Sequence, residues 1–437
     1  MLTEADRSPR DEASGVTPPL TDSQSRRNIF VASATGFMGF AGFTVVMPFL
    51  PFYIRELGVE DVGDIALWSG LTLGATPAIT AISAPLWGRV GDRYGSKLLV
   101  IRSLSAFALT KAAMAFVTAP WQLVALRALL GVFAGYGALT MSMAAESVPR
   151  ERMAHAIGSV QMGQRLGPAI GPLVGGIVAP LVGLRRSFLL TAGFYLAALL
   201  MMALFYREPR THHLRRSGRS LAAVLRELTA TPGFVLILAV IFGLQTVDRS
   251  FSPILPLFVA QLGVAPERVA TLAGILFSLI AACAALGHRL AHSLVSRYSA
   301  RAILATVSAA TASAMIVIIL VPSLWTLTFA LIVASLGIGI AMTAAYTLAG
   351  SLLPADAHVT GFGVMTTASL IGLAFSPVLA GVVGNSGLLV VFVVDVLLMV
   401  GLGLAVLGSK VPPFQGSKVP GFQGSKAPPL DGPEIEP

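Results

Sequence analysis

Apolar stretches long enough to cross a bilayer recur from one end of this chain to the other. A helix rising about 1.5 Å per residue needs about 20 apolar residues to span a hydrocarbon core about 30 Å thick. Twelve such stretches are found, at about 29–54, 65–87, 98–118, 120–144, 154–182, 186–206, 234–258, 269–291, 301–320, 323–351, 359–385 and 387–408. Runs such as LLVVFVVDVLLMVGLGLAVL, 388–407, lack the alternation of barrel strands. With 55% hydrophobic and 12% charged residues among 437, against about 25% charged in soluble domains, the chain reads as an all-α membrane protein of twelve transmembrane helices.

The net charge of +9 is distributed by loop. If both termini are cytoplasmic, the loops on that side hold 14 Lys and Arg and the opposite loops hold four, Arg55, Arg185, Arg186 and Arg268. This positive-inside bias predicts the orientation and a multi-pass inner-membrane location; it argues against nucleic acid as a partner. Residues 1–28 show no signal-peptide pattern, so the first stretch is expected to remain as a membrane helix. The one cysteine, Cys283, has no partner for an intramolecular disulfide.

The polar, basic segment 207–233 divides the stretches six and six. MPFLPFYIRELGV (47–59) matches SPILPLFVAQLGV (252–264) at an offset of 205, and Arg93–Tyr94 meets Arg297–Tyr298 at an offset of 204. Two ordered matches at nearly one offset predict two related halves, 29–206 and 234–408, joined by a cytoplasmic linker. Residues 1–28 are expected to be disordered, as is 409–437, where a repeat beginning GSK recurs at 408, 416 and 424.

Twelve spans in two related halves suggest a secondary transporter, and local motifs sharpen this. GRVGDRYGSK (88–97) resembles the signature of the major facilitator superfamily between spans two and three, with Gly88, Asp92, Arg93, Gly95 and Lys97 in place and Ser96 departing from it. RALLG (127–131) resembles the fourth-span signature of proton-coupled members. GSVQMGQRLGPAIGPLVGG (158–176) is similar to the fifth-span antiporter signature, matched at Gly158, Gly167, Gly171, Pro172, Gly175 and Gly176. PFLP (48–51) resembles a first-span signature of the twelve-span drug:proton antiporters. The resemblance covers about 29–408 and implies the major facilitator fold, alternating access and export. It further implies that Asp92 latches the cytoplasmic side of one half to the eleventh span of the other, with Arg93 and Glu146 in the same charge network.

The residues support readings of their own. Gly167, Gly171 and Gly175 are four apart and share one helix face, where small residues let a neighbouring backbone approach. Pro168 and Pro172 each remove an intrahelical hydrogen bond. A kinked helix with a smooth face suits two halves that rock, so this face is expected to serve gating as well as packing.

Charges within the spans are costly and point to function. Arg102 is near a membrane edge and can snorkel. Arg127 lies about 10 Å deep and, with Asp248 and Asp395, is a candidate for proton coupling. Lys111, Gln161, Gln164, Arg165 and Arg249 are candidates for lining a substrate cavity. Asp395 either faces that cavity or pairs inside the twelfth span; Arg249 either neutralises Asp248 or faces the rim. The first stretch holds no acid before Arg55, which tilts the expected substrate towards anionic or zwitterionic amphiphiles.

The expectation is a proton-coupled, multidrug-type exporter whose partners are protons, a small molecule and lipid, and which acts as a monomer. Alternatives are a dedicated exporter of a carboxylate-bearing metabolite or siderophore, and a non-transporting sensor. No metal-ligand cluster, cofactor motif or nucleophile motif points to an enzyme.

Overall fold

The computed structural model describes residues 21–149, 152–208, 226, 231, 233–353 and 358–409. The readings made for 1–20, for most of the linker and for the tail repeat from 410 onwards fall outside these residues. Gly88, Asp92 and Arg93 are placed by their backbone alone.

The described residues form α1 (Asp22–Thr44), α2 (Leu50–Glu56), α3 (Val62–Tyr94), α4 (Ser96–Met114), α5 (Pro120–Phe133), α6 (Tyr136–Glu146), α7 (Met153–Val182) and α8 (Leu184–Phe205) in the first half. The second half holds α9 (Phe234–Gln261), α10 (Pro266–Arg297), α11 (Ala300–Leu320), α12 (Leu324–Leu352), α13 (His358–Gly384) and α14 (Leu388–Gly408). Ten helical segments among them are long and apolar enough to cross a membrane, with α5 and α6 forming one. The remaining two expected spans, α1 with α2 and α4, are helical but more polar. Asp22, Arg26, Arg27 and Asn28 occupy the first turns of α1, and α4 carries Lys97, Arg102 and Lys111.

Two of the expected spans are interrupted. The first breaks between Thr44 and Leu50, around Pro48, which offers no N–H to continue the helix. The fourth breaks at Gly135, whose φ of +108° belongs to the left-handed region open to glycine. Its repeat partner does not copy the first break: α9 runs unbroken through Pro253 and Pro256. The helix also begins earlier than expected. Thr21 caps α1 by accepting from the Gln24 N–H while the Gln24 side chain accepts from the Thr21 N–H. Residues 22–28 are therefore helical, contrary to the expected disorder.

In the first half α1 packs on α7 and α8, α4 on α8, and α3 on α5. In the second, α9 packs on α13, α10 on α12, and α11 on α12 and α14. The halves join through α3 against α13 and α7 against α10. Asn28, Ser147 and Arg207 hydrogen-bond together and mark one end of the bundle, here called the basic end.

The glycine face of α7 turns inward on its own half, which corrects the gating reading. A Cβ on Gly167 would lie 2.7 Å from the Ala41 nitrogen, and one on Gly171 2.6 Å from the Ala41 carbonyl oxygen. A Cβ on Gly175 would overlap the Val45 carbonyl. Gly158 meets nothing within 4 Å. Two signature residues, Gly176 and Pro172, reach the other half: a Cβ on Gly176 would lie 2.5 Å from the Ala270 carbonyl oxygen, and Thr271 donates to the Gly176 carbonyl at 2.9 Å. Gly274 answers against the Pro172 carbonyl at 2.5 Å. On the second contact Gly74 approaches Ala374, Gly381 approaches Ala66, and Gly63 approaches Asn385. These approaches lie at the end opposite the basic one.

The two glycine contacts predict separable outcomes. Gly171→Leu should lower the melting temperature and yield of the purified protein, because it wedges α7 off α1. Gly176→Leu should leave the melting temperature within about 2 °C, since its clash lies between halves and not within one (about 1 kcal/mol shifts a domain this size by a few degrees). It should abolish vesicle transport. Thermal unfolding in detergent alongside transport checks both.

Candidate functional site: a cavity between the halves

A cavity of about 410 Å³ lies where the halves face one another beyond the seal. Phe40 and Phe43 of α1, Leu73 and Pro77 of α3, and Leu373 and Pro377 of α13 supply its apolar wall. α7 contributes Gln161, Gln164, Arg165 and Pro168, and across from it stand Arg249 and Ser252 of α9 and His288 of α10. A side chamber of about 70 Å³ shares Thr44, Met47, Pro168, Arg249 and Ser252 and adds Asp248.

The polar residues differ in how they are held. Gln164 donates to the Gly137 carbonyl at 2.8 Å and to the Thr140 hydroxyl at 3.1 Å, which ties α7 to α6. Arg165 and Gln161 are exposed to the cavity and make no hydrogen bond or ion pair among the described residues. Arg249 Nε lies 2.9 Å from the Asp248 carboxylate, at ion-pair distance but without hydrogen-bond alignment. Neighbours on a helix diverge by about 100°; long side chains bridge that angle here, so Arg249 both neutralises Asp248 and lines the cavity. With one pair balanced, Arg165 leaves the site with a net positive charge.

Of the sequence candidates, Gln161, Gln164, Arg165 and Arg249 meet at the cavity, with Asp248 beside them. Lys111 does not. It is fully buried inside the first half, its Nζ has no hydrogen-bond partner, and the Phe188 ring lies 5.9 Å away. The expected cavity role is corrected: α4 packs on α8, so its inward face meets helices of its own half. Arg127 is also buried, with both terminal nitrogens unpartnered and Phe43 at 5.2 Å. Phe43 lines the cavity, so Arg127 sits one side chain behind it. Asp395 is buried between α9 and α14, where Ser250 donates to it at 2.7 Å. Of the two readings left open for it, pairing within the bundle is the one observed.

Arg102 packs within the first half. Its guanidinium stacks 3.3 Å from the Trp87 ring and donates to the Phe133 carbonyl at 3.2 Å. At the basic end Lys97 donates to the Tyr206 carbonyl at 2.7 Å, and its N–H to Glu208 at 3.1 Å. Glu146 accepts from Ser142 at 2.7 Å. Gly95 takes φ +88° in the turn between α3 and α4. These contacts stay within one half, and the side chain of Asp92, on which the expected latch rests, falls outside the described residues.

His288 escaped the sequence reading. An isolated histidine has no metal-ligand spacing, yet an imidazole inside the apolar stretch 269–291 was itself a signal. Among the described residues no group of three or more His, Cys, Asp or Glu is placed to hold a metal.

A sequence profile described as Major Facilitator Superfamily matches residues 32–377 and 269–432. The chain belongs to the Major Facilitator Superfamily. That superfamily is one of multi-pass membrane transporters, in agreement with the ten long apolar helical segments described above. The chain is 30% identical over 254 residues to Multidrug resistance protein MdtG of Proteus mirabilis, covering 58% of this chain and 63% of that one. It is 33% identical over 262 residues to the protein of that name in Erwinia billingiae, covering 60% and 64%. These matches span less than two thirds of each relative. Its fold is similar to a bacterial homolog of the human lysosomal transporter Spinster, solved in an inward-facing and unoccupied conformation. The TM-score is 0.72 at 16% identity, over 89% of this chain and 97% of that one.

An unpaired cation buried in a bundle costs stability, because no partner repays its desolvation. Lys111→Met is therefore expected to raise the melting temperature in detergent. A fall in melting temperature would show that Lys111 is held by a counter-charge.

Proposed function

We propose that this chain is a proton-coupled exporter of small amphiphilic compounds, of the multidrug type, working by alternating access. The observation that carries the reading is the cavity itself: apolar walls, one unpaired guanidinium and one ion pair, between halves sealed at one end. The positive-inside bias assigns the basic end and both termini to the cytoplasm. The sealed end is then extracellular, and the cavity faces the side from which an exporter loads. The likeness to proteins named for multidrug resistance supports the same direction. Each chain encloses its own cavity, in keeping with a monomer.

In this reading substrate and proton compete for one group. An ionised carboxylate pairs with a substrate ammonium or accepts its N–H; protonation removes the charge and turns one oxygen into a donor, which weakens that hold. Asp248 stands beside the cavity and is the coupling residue in this reading. Asp395 is the second, and Arg127, behind Phe43, tunes the field of the site. Asp92, with Gly88, Arg93, Gly95, Lys97 and Glu146, closes the cytoplasmic side when the cavity turns outward. Arg165 favours a narrower version, export of a compound bearing a carboxylate.

Coupling is tested by substrate-induced proton release in proteoliposomes, after a substrate panel run with and without a protonophore. Asp248→Asn is expected to end concentrative efflux and reduce proton release to background while downhill exchange continues. If the variant still concentrates substrate, coupling lies elsewhere, with Asp395 the next residue to test.

A further inference from the structure

His288 projects from α10 into the cavity, and its hydrogen bonds define its tautomer. Its Nδ1 lies 2.9 Å from the Thr343 hydroxyl of α12. Thr343 has one proton to give, and it donates to the Gly339 carbonyl one turn back, at 3.1 Å. The Thr343 oxygen is then an acceptor towards the ring, so Nδ1 carries the hydrogen. In the neutral ring this leaves Nε2 with a bare lone pair. Nε2 has no partner among the described residues and is not among the buried unsatisfied atoms, so it opens to the space that His288 lines. The charged groups whose fields reach the ring are Arg165 of α7 and Asp248 of α9.

Arg165 has only donors to offer. The cavity thus presents a cation on α7 and a neutral acceptor on α10, the helices that join the two halves at the seal. We propose that His288 is a specificity-determining residue, whose Nε2 accepts a hydrogen bond from a substrate N–H or O–H while Arg165 holds the anionic group of the same molecule. The substrate class is an amphiphile with a carboxylate and a neighbouring hydrogen-bond donor, such as an N-acylated or N-sulfonylated amino acid. A molecule held at both points bridges the halves, so its arrival bears on the element that must move. This rests on the reading of the cavity as a substrate site.

Dansylglycine and dansylsarcosine test it on the purified full-length protein. Both carry the same fluorophore and carboxylate; dansylglycine has a sulfonamide N–H where dansylsarcosine has an N-methyl group. Leaving an enclosed acceptor unsatisfied is costly, so the wild-type protein should bind dansylglycine about tenfold tighter. His288→Phe should remove that preference and leave both near the dansylsarcosine affinity. Thr343→Val keeps the ring but frees its tautomer, and should shrink the preference without abolishing binding. Arg165→Gln should weaken both probes to the same extent.

Equal wild-type affinities, or a preference that survives in His288→Phe, would overturn the role of His288 while leaving the cavity reading intact. If neither probe binds the wild-type protein, the anionic-amphiphile reading of the cavity falls, and this proposal with it.

Discussion

The two halves of this transporter meet backbone to backbone. In lipid, burying one apolar side chain against another has little advantage over leaving it among acyl chains, so helices associate by close packing. Glycine permits the closest approach. Gly176 rests against the Ala270 carbonyl and Gly274 against the Pro172 carbonyl, while Gly74 and Gly381 do the same between α3 and α13. Because these approaches gather at one end, the helices diverge beyond them, and the cavity is the space they leave. Its polar wall follows from the same geometry. Gln161, Gln164 and Arg165 lie on the part of α7 that has separated from α10, just below the contact at Pro172 and Gly176.

α7 serves two partners. Gly167, Gly171 and Gly175 fix it to α1, and the next residue, Gly176, touches α10. Successive helical residues differ by about 100° in direction, so a glycine pair at 175 and 176 presents bare backbone on two faces at one level. The helix is thus held to its own half along three glycines and meets the other half at Gly176 and the Pro172 carbonyl. The Val45 carbonyl that Gly175 receives belongs to the break between α1 and α2. The interruption of the first span and the smoothness of the fifth are therefore parts of one contact.

Charge is handled differently in each half. In the second, Asp395 takes a hydrogen bond from Ser250, and Asp248 is paired with Arg249. In the first, Arg102 is stacked on Trp87, and Arg102, Lys111 and Arg127 all keep buried nitrogens without a hydrogen-bond partner. A buried charge is costly when unpaired. Of these three cations, Arg127 lies just behind the aromatic wall of the cavity, at Phe43.

Much of this was legible in the order of residues. Repeated apolar stretches gave the helices, the basic segment 207–233 gave the division into halves, and a four-residue glycine spacing gave a smooth face on α7. Polar residues in an apolar run marked Gln161, Gln164, Arg165 and Arg249 as cavity residues, since a membrane interior tolerates them chiefly around a cavity. The partner of each face was not legible. Periodicity states which residues share a side of a helix, but the neighbour on that side is chosen by packing among elements far apart in sequence. Tertiary structure therefore decided that the glycine face meets α1, that Lys111 points into its own half, and that Asp395 pairs with Ser250. It also decided that His288, unremarkable in a list of scattered histidines, stands across the cavity from Arg165 with its tautomer set by Thr343. Composition and spacing are properties of the chain; a site between two halves exists only once both have folded and met.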